Sequence, residues 1–268
     1  MMDDQEDPYR PPSAALHPQG IDRWIRAQVV PFAVFIGFNL LLQIYVTFFG
    51  SSNPAAPWWR HWPEQWLYPL QTVVCLYLLV CRWKYYEFRW SARWCLAGAA
   101  FGATGIGFWL LPTLAYDRLG LSGPTEGWQK WLGLASRTKG FNPAEAFGDG
   151  TAAYWAALFM RFIRAVVVVA LVEEIFWRSF LMRFVMDWEG DYWKRPFGQA
   201  SWKSYGIVTG LFMVAHSPAD YAGALVYGSL TYLLCVWSKN LGACIIMHAV
   251  ANLLMGLFAV GYGKYGLW

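Results

Sequence analysis

In the stretch Leu171–Phe180, LVEEIFWRSF, two adjacent glutamates and an arginine follow the apolar run AVVVVA of residues 165–170. Burying a charge is costly unless it is paired or used. On a helix, Glu174 and Arg178 sit four residues apart with the acid N-terminal, the favourable order for an ion pair. Glu173 is rotated by about 100° from Glu174 and has no such partner. Burial and a neighbouring like charge both favour a proton on a carboxyl group, and a carboxylate so placed is a usable general base. The spacing therefore gives Glu174 to Arg178 and leaves Glu173 for chemistry.

Two further constellations follow. FMVAH places Phe212 and His216 four apart, so the aromatic ring lies one turn below the imidazole and can fix its rotamer. HAVAN places His248 and Asn252 four apart on one helical stripe. Their two hydrogen-bond donors then point the same way, which suits a carbonyl oxyanion. Each constellation alone has a structural reading. An EExxxR can be an ion-pair network, a histidine near a helix end is more often a packing residue, and an asparagine in a membrane helix often ties helices together. Jointly they occupy three separate apolar segments, in order, and use two of the four histidines. An ionisable residue inside a membrane span is a functional hypothesis by default.

The composition says what must position them. The chain of 268 residues is 57% hydrophobic and 19% aromatic, with only 14% charged residues. Soluble domains carry about 25% charged residues, and here the charges gather between long apolar runs. That is the pattern of a polytopic membrane protein. Tryptophans flank those runs as an interfacial belt would: Trp24, Trp58, Trp59, Trp62, Trp66, Trp83, Trp90, Trp94, Trp188, Trp193 and Trp202. The net charge of +4 includes no patch dense enough for nucleic acid. Five cysteines (Cys75, Cys81, Cys95, Cys235, Cys244) lie in or beside the runs without a CxxC pair, which favours packing over disulfides or a metal site.

The expected fold is an all-α, polytopic integral membrane bundle of about seven transmembrane helices, within a range of six to eight. Residues 1–27 read as a polar, disordered tail, acidic and Pro-rich and unlike a signal peptide. Residues 28–116 hold three spans, near 29–49, 66–81 and 94–114. The third contains AGAAFGATGIGF, whose small residues allow close helix approach. Residues 117–150 form a long polar loop, in which NPAE (Asn142 to Glu145) looks like a capped helix start. Residues 151–268 carry the three motifs on spans near 165–186, 205–216, 221–237 and 241–260. Ala152–Arg164 either lies along the interface or leads straight into the next span, with Arg161 and Arg164 at one boundary and Arg183 and Asp187 at the other. Arg10, Arg23, Arg26 and the basic cluster Arg82, Lys84, Arg89, Arg93 favour a cytoplasmic N-terminus.

These motifs carry a resemblance. EEIFWR is similar to the EExxxR motif of the type II CAAX prenyl endopeptidases and their bacterial relatives, the CAAX protease and bacteriocin-processing family. FMVAH is similar to its FxxxH motif and HAVAN to its HxxxN motif. FNP upstream and the continuation WRSFLMRF resemble the prokaryotic branch associated with exosortase sorting systems. The resemblance covers about residues 152–262. It implies an intramembrane endopeptidase without a cofactor, acting on a membrane-anchored or lipidated protein tail at the bilayer. It also implies that Glu173 and His216 activate a water, that His248 and Asn252 hold the oxyanion, and that Glu174, Arg178 and Phe212 complete and orient the site.

Alternatives remain at this level. Glu173, His216 and His248 could supply the two-His, one-carboxylate set of a catalytic zinc, although no HExxH is present. The same scaffold could serve as a non-enzymatic partner, immunity or sorting factor, or as a transporter with a proton relay.

Overall fold

A computed structural model describes residues 18–51, 56–122, 126–188 and 190–268. Most of the expected tail, residues 1–17, lies outside the described residues. The described residues are helical, and no strand occurs among them. Seven long helices follow in order: α1 (Pro18–Phe49), α2 (Glu64–Cys81), α3 (Ala92–Arg118), α4 (Ala152–Phe184), α5 (Trp202–Val214), α6 (Tyr221–Ser238) and α7 (Leu241–Tyr262). By length and hydropathy α1, α3, α4, α6 and α7 are able to cross a membrane. Helix α5 has 13 residues. At about 1.5 Å per residue it falls short of a hydrocarbon core about 30 Å thick.

The outer surface explains the apolar composition. Leu40, Phe48, Val73, Leu96, Phe159 and Leu257 are all exposed on the long helices. Such a girdle is stable against lipid and not against water, so the chain is an integral membrane protein. Trp58, Trp59, Trp83, Trp90, Trp188 and Trp202 are exposed in or beside the connections, as the belt reading expects. Trp193 is not part of that belt. It is 6% exposed and packs with Phe180 and Tyr192, because its loop folds back under α4.

Contacts at the helix ends give the alternation. At one end, the Tyr86 hydroxyl donates to the Ala27 carbonyl at 3.0 Å, and Arg183 meets Glu87 at 2.9 Å. At the other, Lys264 Nζ meets Asp117 at 2.7 Å and Arg137 meets Asp220 at 2.6 Å. The helices thus run alternately up and down. The closest pairing is α3 on α7. A Cβ on Gly98 or Gly102 would strike the backbone oxygens of Ala243 and Met247. The small-residue string of α3 therefore does what its composition suggested, letting two backbones touch.

Two boundaries that the sequence left open are settled locally. Asn142 does cap a helix, its Oδ1 accepting from Ala144 N at 3.1 Å and its Nδ2 donating to Glu145 at 3.0 Å. That helix ends after one turn at Gly148, where φ is +80°. Thr151 then caps α4 by accepting from Tyr154 N at 3.1 Å. From there α4 is continuous, so Ala152–Arg164 leads into the span instead of lying along the interface. Arg164 is accordingly inside the bundle, not at a boundary. Its Nε donates to Gln71 at 2.6 Å, its Nη2 donates to Asn39 at 3.2 Å, and its guanidinium stacks over Tyr68.

Candidate active site

Helix α4 is not a regular α-helix. Arg164–Val169 and Ile175–Leu181 are wound as π-helix, and Ala170–Glu174, with both glutamates, is the α-helical turn between them. Single π turns are rare and recur at functional sites. Here the first one leaves the Ala165 carbonyl facing α7, where it accepts from Asn252 Nδ2 at 2.7 Å.

The two glutamates have different surroundings. Glu174 is fully buried, as is Arg178 at 1% exposure, and the two approach at 3.3 and 3.4 Å. A shorter contact comes from α7: His248 Nδ1 lies 2.8 Å from Glu174 Oε1. The sequence pairs Glu174 with Arg178 alone, and the structure adds the imidazole. Removing two charges from water is costly, and a third hydrogen-bonding partner offsets part of that cost. Glu173 is partly exposed, lines the cavity described next, and makes no hydrogen bond or ion pair among the described residues.

His216 ends α5. Its Nδ1 lies 2.7 Å from the Phe212 carbonyl. A carbonyl only accepts, so Nδ1 carries the hydrogen and Nε2 is the acceptor of the neutral ring. The Phe212 ring packs at 4.7 Å centroid distance, which is the staple that the FxxxH spacing anticipated. Arg178 lies over the other motif's ring, 5.3 Å from the Phe212 centroid. The three motifs are therefore physically joined, the first to the third through Glu174 and His248, and the first to the second through Arg178 and Phe212.

A cavity of about 170 Å³ opens between these helices, lined by Glu173, His216, His248 and Asn252. Trp109, Tyr227 and Asp220 complete its polar wall. A neighbouring cavity of about 310 Å³ shares Glu173, His216 and Asn252 and extends to Phe32, Phe35 and Arg164. A roomier pocket of about 480 Å³, between α2 and the start of α4, contains no motif residue. Among the described residues no group of three or more His, Cys, Asp or Glu side chains is gathered as a metal ion would need.

Every residue singled out from the motifs is thus in or directly behind one cavity. What sequence reasoning missed is the wall supplied by α1, α3 and α6. Trp109, Tyr227 and Asp220 have no spacing that separates them from ordinary interfacial and core residues. Asp220 alone offered a hint, lying four residues beyond His216 in HSPAD.

Comparison with known proteins bears on this arrangement. Residues 155–254 match the family described as type II CAAX prenyl endopeptidase Rce1-like, and that segment holds all three motifs. The likeness covers 100 of the 268 residues and is a similarity of that segment. No curated protein and no solved structure matches it.

Proposed function

We propose that the chain is an intramembrane endopeptidase in which Glu173 activates a water for attack on a peptide carbonyl. Its substrate is a membrane-anchored or lipidated protein tail, and its N-terminus faces the cytoplasm. The observation that carries this reading is the single cavity in which an unpaired carboxylate, two imidazoles and a carboxamide meet inside an apolar bundle.

The step follows from the groups at hand. Glu173 takes one proton from water while His216 Nε2 accepts a hydrogen bond from the other. The hydroxide oxygen bonds to the carbonyl carbon, and the carbonyl oxygen becomes an oxyanion. Asn252 retains one N–H beyond that given to Ala165 and offers it there. His248 Nε2 is the second donor. Its Nδ1 is engaged with Glu174, so for Nε2 to donate, the Glu174–His248 pair must hold one extra proton on either the imidazole or the carboxyl. Arg178 balances that pair. Collapse of the intermediate breaks the C–N bond, and the proton on Glu173 passes to the leaving amine. Two oxyanion donors in a water-poor site are worth about 10²–10³ each in rate.

The test is cleavage of lipidated and transmembrane-tail peptides by the purified protein in liposomes, with and without a strong chelator. Cleavage that is indifferent to the chelator supports the glutamate mechanism. Loss on chelation with recovery on zinc addition would instead make Glu173, His216 and His248 ligands.

A further inference from the structure

Outside the three motifs, one group is built into the cavity wall with unusual completeness. Asp220, in the turn between α5 and α6, lines the same cavity as Glu173 and His216. Its Oδ1 accepts from Arg137 Nη2 at 2.6 Å and from Trp109 Nε1 at 3.2 Å. Its Oδ2 accepts from the Ser217 hydroxyl and, at 3.4 Å, from Arg137 Nη1. The ion pair is largely shielded, with side chains 10% and 18% exposed. A carboxylate so fully engaged has little capacity left for catalysis. What it holds is Trp109, and the Trp109 ring packs edge-on against His216 at 5.2 Å and against Tyr227 at 6.0 Å.

Arg137 is itself fixed with effort. It is a non-glycine residue at φ +55°, a left-handed conformation that persists only where the surroundings over-determine it. They do: its guanidinium also donates to the Ala219 carbonyl at 2.6 Å, and its own carbonyl accepts from Gly266 N at 2.8 Å. Residue 137 lies outside the segment 155–254 that matches the protease family. Through Arg137 the polar 117–150 connection therefore reaches Asp220 in the cavity wall.

We propose that Asp220, clamped by Arg137, is a positioning residue that locks Trp109 against His216 and so holds the imidazole with Nε2 directed into the cavity. Phe212 and its carbonyl fix the ring from below, and Trp109 fixes it from α3. Without the Asp220–Trp109 hydrogen bond the indole is free to tilt, and the imidazole gains a second orientation. The inference rests on the reading of His216 given above, but its structural half is independent of turnover.

The experiment is the ¹⁵N spectrum of the imidazoles in the full-length protein in detergent, with His216 assigned by loss of its signals in His216→Ala. Only four histidines are present, which keeps the spectrum simple. Wild type should show His216 as one tautomer, protonated at Nδ1. Trp109→Phe keeps a ring but loses the donor, and Asp220→Asn keeps the size but loses the charge. Both should give an averaged or doubled His216 signal. Trp109→Phe is the milder change and serves if Asp220→Asn does not fold. In the cleavage assay each variant should lose about tenfold in kcat with KM kept within about twofold, and the double variant should lose no more than the worse single. A His216 signal unchanged in both variants overturns the inference. So do losses that multiply in the double variant, or undiminished kcat in both. Cleavage surviving in Glu173→Gln would count against the protease mechanism, while the imidazole spectrum would still decide the positioning role.

Discussion

Helix α4 carries two polar clusters in the same apolar surroundings, and they are built on opposite plans. Toward its C-terminal end, Ser179 and Arg183 join Gln28, Glu87 and Tyr192. Gln28 Nε2 donates to Ser179 Oγ at 3.1 Å, and the Tyr192 hydroxyl donates to Gln28 Oε1 at 3.0 Å. Arg183 donates to the Ser179 carbonyl at 2.7 Å, to Ser179 Oγ at 3.0 Å and to Glu87 at 2.9 Å. Burial pushes the Tyr192 phenol above its ordinary range, so it stays a neutral donor. These groups spend themselves on one another and tie α1 and the α2–α3 connection to α4. Around Glu173 the pairing stops short. His216, His248 and Asn252 each spend one atom on a neighbour and leave another for the cavity, and Glu173 spends none. Buried polar residues in a membrane bundle therefore do not all mean chemistry. The distinction lies in whether the partners close on each other.

That contrast can be broken by substitution. The largest stability effect should come from Glu174→Gln, which stands on the boundary between the two plans. It strips Arg178 and His248 of their shared carboxylate, and breaking a buried pair from one side costs about 3–5 kcal/mol. Thermal unfolding in detergent should fall steeply, and activity should fall with it. Asn252→Ala should act on turnover instead. Loss of one oxyanion donor lowers kcat by about 10²-fold, with a much smaller change in KM, measurable with any cleaved tail peptide. The smallest effect should be that of Gln28→Leu. It leaves the Tyr192 hydroxyl without its acceptor, for a loss of about 1–3 kcal/mol in stability and none in kcat. A Gln28→Leu protein that folds normally but turns over slowly would blur the distinction drawn between the clusters.

Much of this was legible in the residues. Spacing alone separates Glu173 from Glu174, because adjacent positions on a helix face different neighbours and only one finds Arg178 a turn away. That α3 would approach another helix closely was legible in its small-residue string, but that the partner is α7, meeting Gly98 and Gly102, came only from the packing. The partner that spacing could not give was His248, since a contact between Glu174 and a residue on α7 depends on how the helices pack. For the same reason Trp109, Asp220 and Arg137 were hidden. Each has an ordinary sequence context and gains its position from a long-range contact. The start of α4 was left open between two alternatives, and Arg164 was placed at a boundary because it looks like a boundary charge. The bundle instead accommodates Arg164 with Gln71, Asn39 and the Tyr68 ring, which no local pattern announces.

The most direct test is to compare Glu173→Gln with wild type in liposomes, reading cleavage of a tail peptide and the thermal midpoint together. If Glu173 is the base and Glu174 the structural partner, Glu173→Gln loses turnover by at least about 10³-fold while its midpoint stays near that of wild type. Undiminished cleavage by a folded Glu173→Gln protein would contradict the division of labour on which the mechanism depends.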